Sequence, residues 1–250
     1  MNAIAVTFDF GETLATLDTT LLVTKLARLG VEASASRLVD ALPEAWEVYQ
    51  RTGHTGQADS GGGQHPWKPL MARLLALASV PESTRHGEFV EELFADQPRS
   101  NLWRTPIPGM IELVRELNAL GVPVSVLSNS EGRLAELVDE LDWSRDLAIV
   151  IDSGRVGIAK PDPAIFRLAA DALGVPVERV LHVGDSLRAD VEGALGAGAS
   201  AIWFTSPPAY PPAPRRGPVG VPVCRDASET RDAILRALDL TGQARSERPS

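Results

Sequence analysis

From residue 106 to residue 204, helix-like and strand-like stretches alternate at short spacing, and few folds accommodate that pattern. The strand candidates are short apolar runs at 122–127, 148–151, 180–183 and 201–204. Between them lie a helix opened by Pro108-Gly109, one at 133–141, one from Pro163 to about Leu173, and one from Ser186 to about Ala197. Such alternation is the pattern of a parallel sheet covered by helices on both faces. A further apolar run at 4–8 stands alone near the start of the chain, and an isolated buried strand has nothing to pair with. It therefore belongs in the same sheet. The expected fold is an α/β core of residues 1–15 and 101–240, interrupted by an all-helical insertion at 16–100 and followed by a polar tail at 241–250.

Within the insertion, residues 18–29 place Leu21, Leu22, Val23, Leu26 and Leu29 at helical spacing, and Gly30 ends the run. A second helix reaches about Arg51, with Leu38, Val39, Leu42, Trp46 and Tyr49 on or near one face. Pro43 inside it predicts a kink or two pieces. Residues 52–66 are rich in glycine and polar side chains and predict a mobile loop, of the kind that serves as a lid or stays unordered. Helical spacing resumes at 67–80 and 86–95, and no strand is expected between 16 and 100. Prolines between 206 and 222 indicate an extended connector. An edge strand is expected at 219–224 and a terminal helix at 230–240.

The net charge of −9 argues against a nucleic-acid or anionic-membrane surface. Cys224 is the single cysteine, so no intrachain disulfide forms. No apolar run is long enough to span a membrane, no signal peptide is evident, and the expected compartment is the cytoplasm.

Ligands of open α/β sheets bind outside the carboxyl ends of the strands. Four polar groups fall at that rim: Asp9, Ser128 with Asn129, Lys160, and Asp185 followed by Asp190. Each has an ordinary reading. Asp9 is a nucleophile, a metal ligand or a turn residue. Ser128-Asn129 and Asp185 suit turns, while Lys160 and Asp190 suit a solvated surface. Their coincidence at one rim favours a functional site.

The stretches Asp9-Phe10-Gly11-Glu12-Thr13-Leu14, Leu127-Ser128-Asn129, Lys160-Pro161-Asp162-Pro163-Ala164-Ile165-Phe166, Val183-Gly184-Asp185-Ser186 and Asp190-Val191-Glu192-Gly193-Ala194 resemble the motifs of the haloacid dehalogenase-like hydrolase superfamily. The likeness spans residues 4–204. It implies a Rossmann-like core with an α-helical cap, usually Mg²⁺, and most often phosphatase chemistry on a small phosphorylated substrate. On that likeness, Asp9 attacks phosphorus and forms an aspartyl-phosphate. Asp9, Asp185, the Gly11 carbonyl and Asp190 are the metal-binding candidates, Asp190 either as a ligand or from behind the ligands. Thr13, Ser128 and Asn129 are the candidate phosphoryl contacts, and Lys160 balances the charge of Asp9 and the phosphate.

One position departs from the pattern. Phosphatases of this superfamily usually carry a second aspartate two residues after the nucleophile, which moves the proton of the leaving group and of water. This chain has Gly11 there. General acid–base catalysis is worth about 10²–10⁴-fold, so weakened turnover or a restriction to good leaving groups is expected. Glu12 is expected to point away, and His54 and His65 are candidate replacements. Two alternatives remain: a metal-independent 2-haloacid dehalogenase, which also lacks the second aspartate, and a non-catalytic module that binds phosphorylated ligands.

Overall fold

The computed structural model describes residues 3–52, 67–80, 86–147, 149–205 and 217–240. The loop carrying His54 and His65, most of the proline-rich connector and the polar tail lie outside the described residues.

Ala5–Phe8 forms β1, and all four side chains are buried because both faces of the strand are covered. Val124–Ser128 (β4), Val150–Asp152 (β5), Val180–Gly184 (β6), Ser200–Phe204 (β7) and Val223–Cys224 (β8) join it. The order is β5-β4-β1-β6-β7-β8, and every pairing is parallel. The chain builds outward from β1 through β4 to β5, then returns to lay β6 against the other edge of β1. That reversal opens a crevice at the carboxyl ends of β1, β4 and β6.

The helices between these strands cover the two faces. Met110–Ala119 (α5), Leu134–Glu140 (α6) and Ala227–Ala237 (α10) pack Leu113, Leu117, Leu137 and Ile234 against Val6, Phe8 and Val126. Pro163–Leu173 (α8) and Gly193–Ala197 (α9) pack Ile165, Phe166, Ala169 and Ala194 on the opposite face. A third apolar cluster holds the insertion together. There Thr19–Arg28 (α1), Ala35–Thr52 (α2), Trp67–Leu77 (α3) and His86–Asp96 (α4) bury Leu22, Leu26, Leu38, Leu70, Leu74 and Leu93. Among the described residues no helix is long and apolar enough to cross a membrane.

The structure differs from the sequence reading in four places. Ala15–Leu17 (β2) and Trp103–Pro106 (β3) pair antiparallel where the chain leaves and re-enters the core. At three and four residues they are too short to show an alternating pattern. Pro43 does not split α2 into two pieces but lies inside it. The carbonyl that loses its donor there belongs to Val39, which is 48% exposed, so water can take its place. The stretch after Ser186 is not uniformly α-helical: Leu187–Glu192 is wound as a π-helix before α9 begins. Finally, a one-turn helix, Ser153–Val156 (α7), follows β5, capped by the Asp152 carboxylate on the Gly154 N–H.

Candidate active site

Asp9 follows β1 directly, and its backbone N–H donates to the Val183 carbonyl on β6 at 2.8 Å. Ser128 is the last residue of β4, and Asp185 follows β6. Three parallel strands thus deliver three polar side chains to one rim. Gly184 is required by a close approach: a Cβ there would collide with the Asp190 carboxyl group, which packs on its Cα. The π-helical winding of Leu187–Glu192 carries Asp190 back over β6.

Lys160 is buried and bridges two acids, its Nζ lying 2.7 Å from Asp9 Oδ1 and 2.5 Å from Asp190 Oδ1. Burial alone would lower the lysine's pKa, but the adjoining Asp190 and Asp9 charges outweigh it and hold the ammonium above its ordinary value. Asn129 aims this side chain through the backbone: its Nδ2 donates to the Lys160 carbonyl at 3.0 Å, and its Oδ1 accepts the Lys160 N–H at 2.8 Å. Both ends of the Asn129 amide are thereby engaged with the lysine backbone.

Asp190 is ringed by donors. Besides Lys160, its Oδ1 lies 3.0 Å from His182 Nε2, and its Oδ2 accepts the Ser186 N–H at 2.8 Å. Burial would raise its pKa, but Lys160 and His182 hold it below the usual carboxylate range. Burial pushes the His182 pKa down, so the ring is neutral. Its Nδ1 lies 2.7 Å from Thr7 Oγ1 on β1, its register partner in the sheet. The arrangement is satisfied when Thr7 donates to Nδ1 and Nε2–H donates to Asp190. Asp190 is thus built first to hold Lys160.

The acids outnumber the cation. With all three ionised, as a bound cation would favour, Asp9, Asp185 and Asp190 against Lys160 leave two negative charges uncompensated in a buried centre. Burial, together with the Asp190 and Asp9 charges, pushes Asp185 well above the usual carboxylate range. Burial also raises Asp9, against the opposing effect of Lys160. One ligand oxygen from each of the three aspartates can be chosen so that all lie within 4.8 Å of one another. An all-oxygen donor set with two surplus negative charges fits a hard divalent cation. Asp9, Asp185 and Asp190 are the residues whose oxygens could hold it.

Thr13 Oγ1 is buried without a hydrogen-bond partner among the described residues. A buried hydroxyl without a partner costs free energy unless a ligand satisfies it, and a phosphoryl oxygen would do so. Ser128 is buried at the same rim.

An aromatic ring lies in van der Waals contact with position 11. A Cβ on Gly11 would lie 3.4 Å from Trp103 Cδ1 and 3.7 Å from its Nε1. Trp103 Nε1 donates to Glu12 Oε1 at 3.0 Å, and the Thr16 hydroxyl lies 3.0 and 2.9 Å from the two Glu12 oxygens. Glu12 takes a left-handed backbone, φ 54°, and turns its buried side chain toward the β2–β3 pair. Burial raises its pKa to about 7.

Four residues at this centre escape a reading of the sequence. Thr7 and His182 sit inside apolar strands, Trp103 begins a strand too short to notice, and Trp46 lies on the apolar face of α2. Trp46 Nε1 nevertheless donates to Asp185 Oδ2 at 2.8 Å. No local pattern separates such a tryptophan from a core residue.

Comparison with known proteins covers this whole assembly. Residues 5–198, which include every rim residue named above, match the sequence model of the haloacid dehalogenase-like hydrolases. A phosphoserine phosphatase from Thermus thermophilus is 32% identical over 166 residues, 65% of this chain and 63% of that protein's length. The haloacid dehalogenase-like hydrolase domain-containing protein 3 of Bos taurus is 26% identical over 76% of each chain. A hydrolase of this family from Deinococcus radiodurans, solved with bound phosphate and sodium, superposes with a TM-score of 0.63 at 25% identity and covers 96% of this chain and 98% of its own. The family model spans most of the chain, and the chain belongs to the haloacid dehalogenase-like hydrolases.

Proposed function

We propose that this protein is a Mg²⁺-dependent phosphatase acting on a small phosphorylated substrate through an aspartyl-phosphate on Asp9. The observation that carries this reading is the buried centre of Asp9, Asp185, Asp190 and Lys160, in which two negative charges are left for a divalent cation to balance. The phosphatase relative and the phosphate-bound structural relative support the same chemistry.

Asp9 and Asp185 would hold the Mg²⁺, which when bound would supply the countercharge that lets an anionic phosphate approach a carboxylate. Lys160 holds the Asp9 carboxylate in place and opposes its protonation. Thr13 and Ser128 receive phosphoryl oxygens. An Asp9 oxygen forms the new bond to phosphorus as the bond to the leaving oxygen breaks, and the departing group takes the electron pair. Water then attacks phosphorus, releasing inorganic phosphate and restoring Asp9. Gly11 cannot protonate the departing oxygen, so groups that leave as stable anions, aryl and acyl phosphates, turn over best.

The test is a phosphate-ester panel with Mg²⁺, repeated in EDTA and with Asp9→Asn. Metal-dependent release of phosphate that is lost in Asp9→Asn supports the reading. Chloride release from 2-chloropropionate that persists in EDTA would replace it with dehalogenation. Binding of phosphate and Mg²⁺ without even a single turnover would replace it with a ligand-binding role.

A further inference from the structure

Trp46 belongs to the helical insertion and Asp185 to the sheet, 139 positions apart, yet the indole N–H and the carboxylate meet at 2.8 Å in a buried setting. The ring sits at the end of an aromatic series. Its centroid lies 5.9 Å from that of Trp103, which lies 6.5 Å from Trp67, itself 5.5 Å from Phe94. Packing alone would be served by phenylalanine. An indole adds one donor and no acceptor, and a buried N–H among aromatic rings needs a partner. The Asp185 carboxylate is that partner. A second indole secures the same residue from behind, as Trp203 Nε1 on β7 donates to the Asp185 backbone carbonyl at 2.8 Å.

We propose that Trp46 is a positioning residue that locks the helical insertion onto the catalytic centre, so that closing α2 over the site and binding the divalent cation stabilise one another. The proposal rests on the reading of Asp185 as a metal ligand. A carboxylate offers two oxygens and several lone pairs, so it can accept an indole N–H and also ligate a cation. The indole fixes the orientation of the carboxylate, as hydrogen-bond partners behind metal ligands commonly do. Coupling of this kind is reciprocal: whatever the closed insertion adds to cation affinity, the cation adds to closure. Asp9 and Asp185 are each 8% exposed, so substrate reaches them when α2 withdraws, and Trp46 is the contact that breaks.

The experiment compares the intact wild-type protein with Trp46→Phe, which keeps an aromatic ring and deletes the donor. Mg²⁺ affinity is measured by calorimetry, and amide hydrogen exchange along α2 is followed with and without Mg²⁺, with α8 as the internal reference for an intact core. Removing a partner of this kind typically lowers metal affinity by about 10–100-fold, and a loss in that range is expected here. Mg²⁺ should slow exchange in α2 of the wild type and leave α2 of Trp46→Phe largely unprotected, with α8 unchanged in both. Equal affinity and equal protection in the variant would reduce Trp46 to packing and overturn the proposal. Tighter Mg²⁺ binding by the variant would also overturn it, by showing that indole and cation compete. If the wild type itself binds no Mg²⁺, the metal-ligand reading fails first and the coupling falls with it. Asp185→Asn guards against a misfolded Trp46 variant. Its amide oxygen still accepts the indole N–H, so α2 should remain protected in the absence of metal while the response to Mg²⁺ disappears. Full unprotection of α2 in Asp185→Asn with α8 intact would count against the lock.

Discussion

Gly11→Asp restores the carboxyl group that phosphatases of this family usually carry, and the structure says what it would meet. A Cβ fits at 3.4 Å from Trp103 Cδ1, so the backbone tolerates the change if the indole yields by a few tenths of an ångström. The carboxyl beyond that Cβ must share the space in front of the ring. Displacing the ring weakens its 3.0 Å bond to Glu12, and a buried carboxyl short of a donor costs about 1–3 kcal/mol. For a chain of this size that corresponds to a fall in Tm of roughly 2–12 °C. The new acid joins Asp9 and Asp185, whose charges raise its pKa and keep it protonated near neutral pH, the form needed to protonate a leaving oxygen. Acid catalysis is worth about 10²–10⁴-fold, and with the ring in the way the gain on an alkyl phosphate should fall at the lower end, about 10²-fold. A 4-nitrophenyl ester needs no such proton and should gain less than about threefold. The assay is kcat/KM with Mg²⁺ on both ester types, beside a thermal melt. An equal factor on the two esters would refute the reasoning. So would no alkyl gain in a folded variant, because some other group would then already be carrying the proton.

Two further outcomes follow from the charge balance. Lys160→Met leaves Asp9 and Asp190 buried without their cation, a loss of about 3–5 kcal/mol, or roughly 6–20 °C in Tm. Added Mg²⁺ and acid should each recover part of it, and a fall under about 2 °C would contradict the arrangement. Glu12 is held up to about 7 against an ordinary 4.5, so in the folded protein it keeps a proton that the unfolded chain releases. Its contribution is complete below pH 4.5 and is lost as pH rises through 7, roughly 3 kcal/mol in all. Asp9, Asp185 and Glu131 are raised too and act with the same sign, against the lowered His182, which acts with the opposite one. Denaturant midpoints in EDTA should therefore fall from pH 5 to 8, with a shallower slope in Glu12→Gln. An unchanged slope would show that Glu12 titrates normally.

The sheet and its rim were legible because apolar runs that end on polar residues mark where strands stop. Asp9, Ser128 and Asp185 were each found in that way, and Lys160 by its place in the loop before α8. What was not legible depends on partners distant in sequence. The Asn129 amide reads as a phosphoryl contact until the Lys160 backbone is seen between its two ends. Trp46 has the spacing of a core residue, and only the fold supplies its acceptor. Gly11 reads as a deletion of chemistry, whereas the structure adds that Trp103 stands against the vacated position. β2 and β3 were missed because three or four residues carry too little periodicity to register.

On the proposed mechanism Asp9 is covalently phosphorylated during turnover. Rapid acid quench during turnover of an aryl or acyl phosphate with Mg²⁺, followed by peptide mass spectrometry, tests it directly. One added phosphoryl group is expected on the peptide containing Asp9, absent in EDTA and in Asp9→Asn. Turnover with that peptide unmodified, or modification that persists in Asp9→Asn, would contradict it.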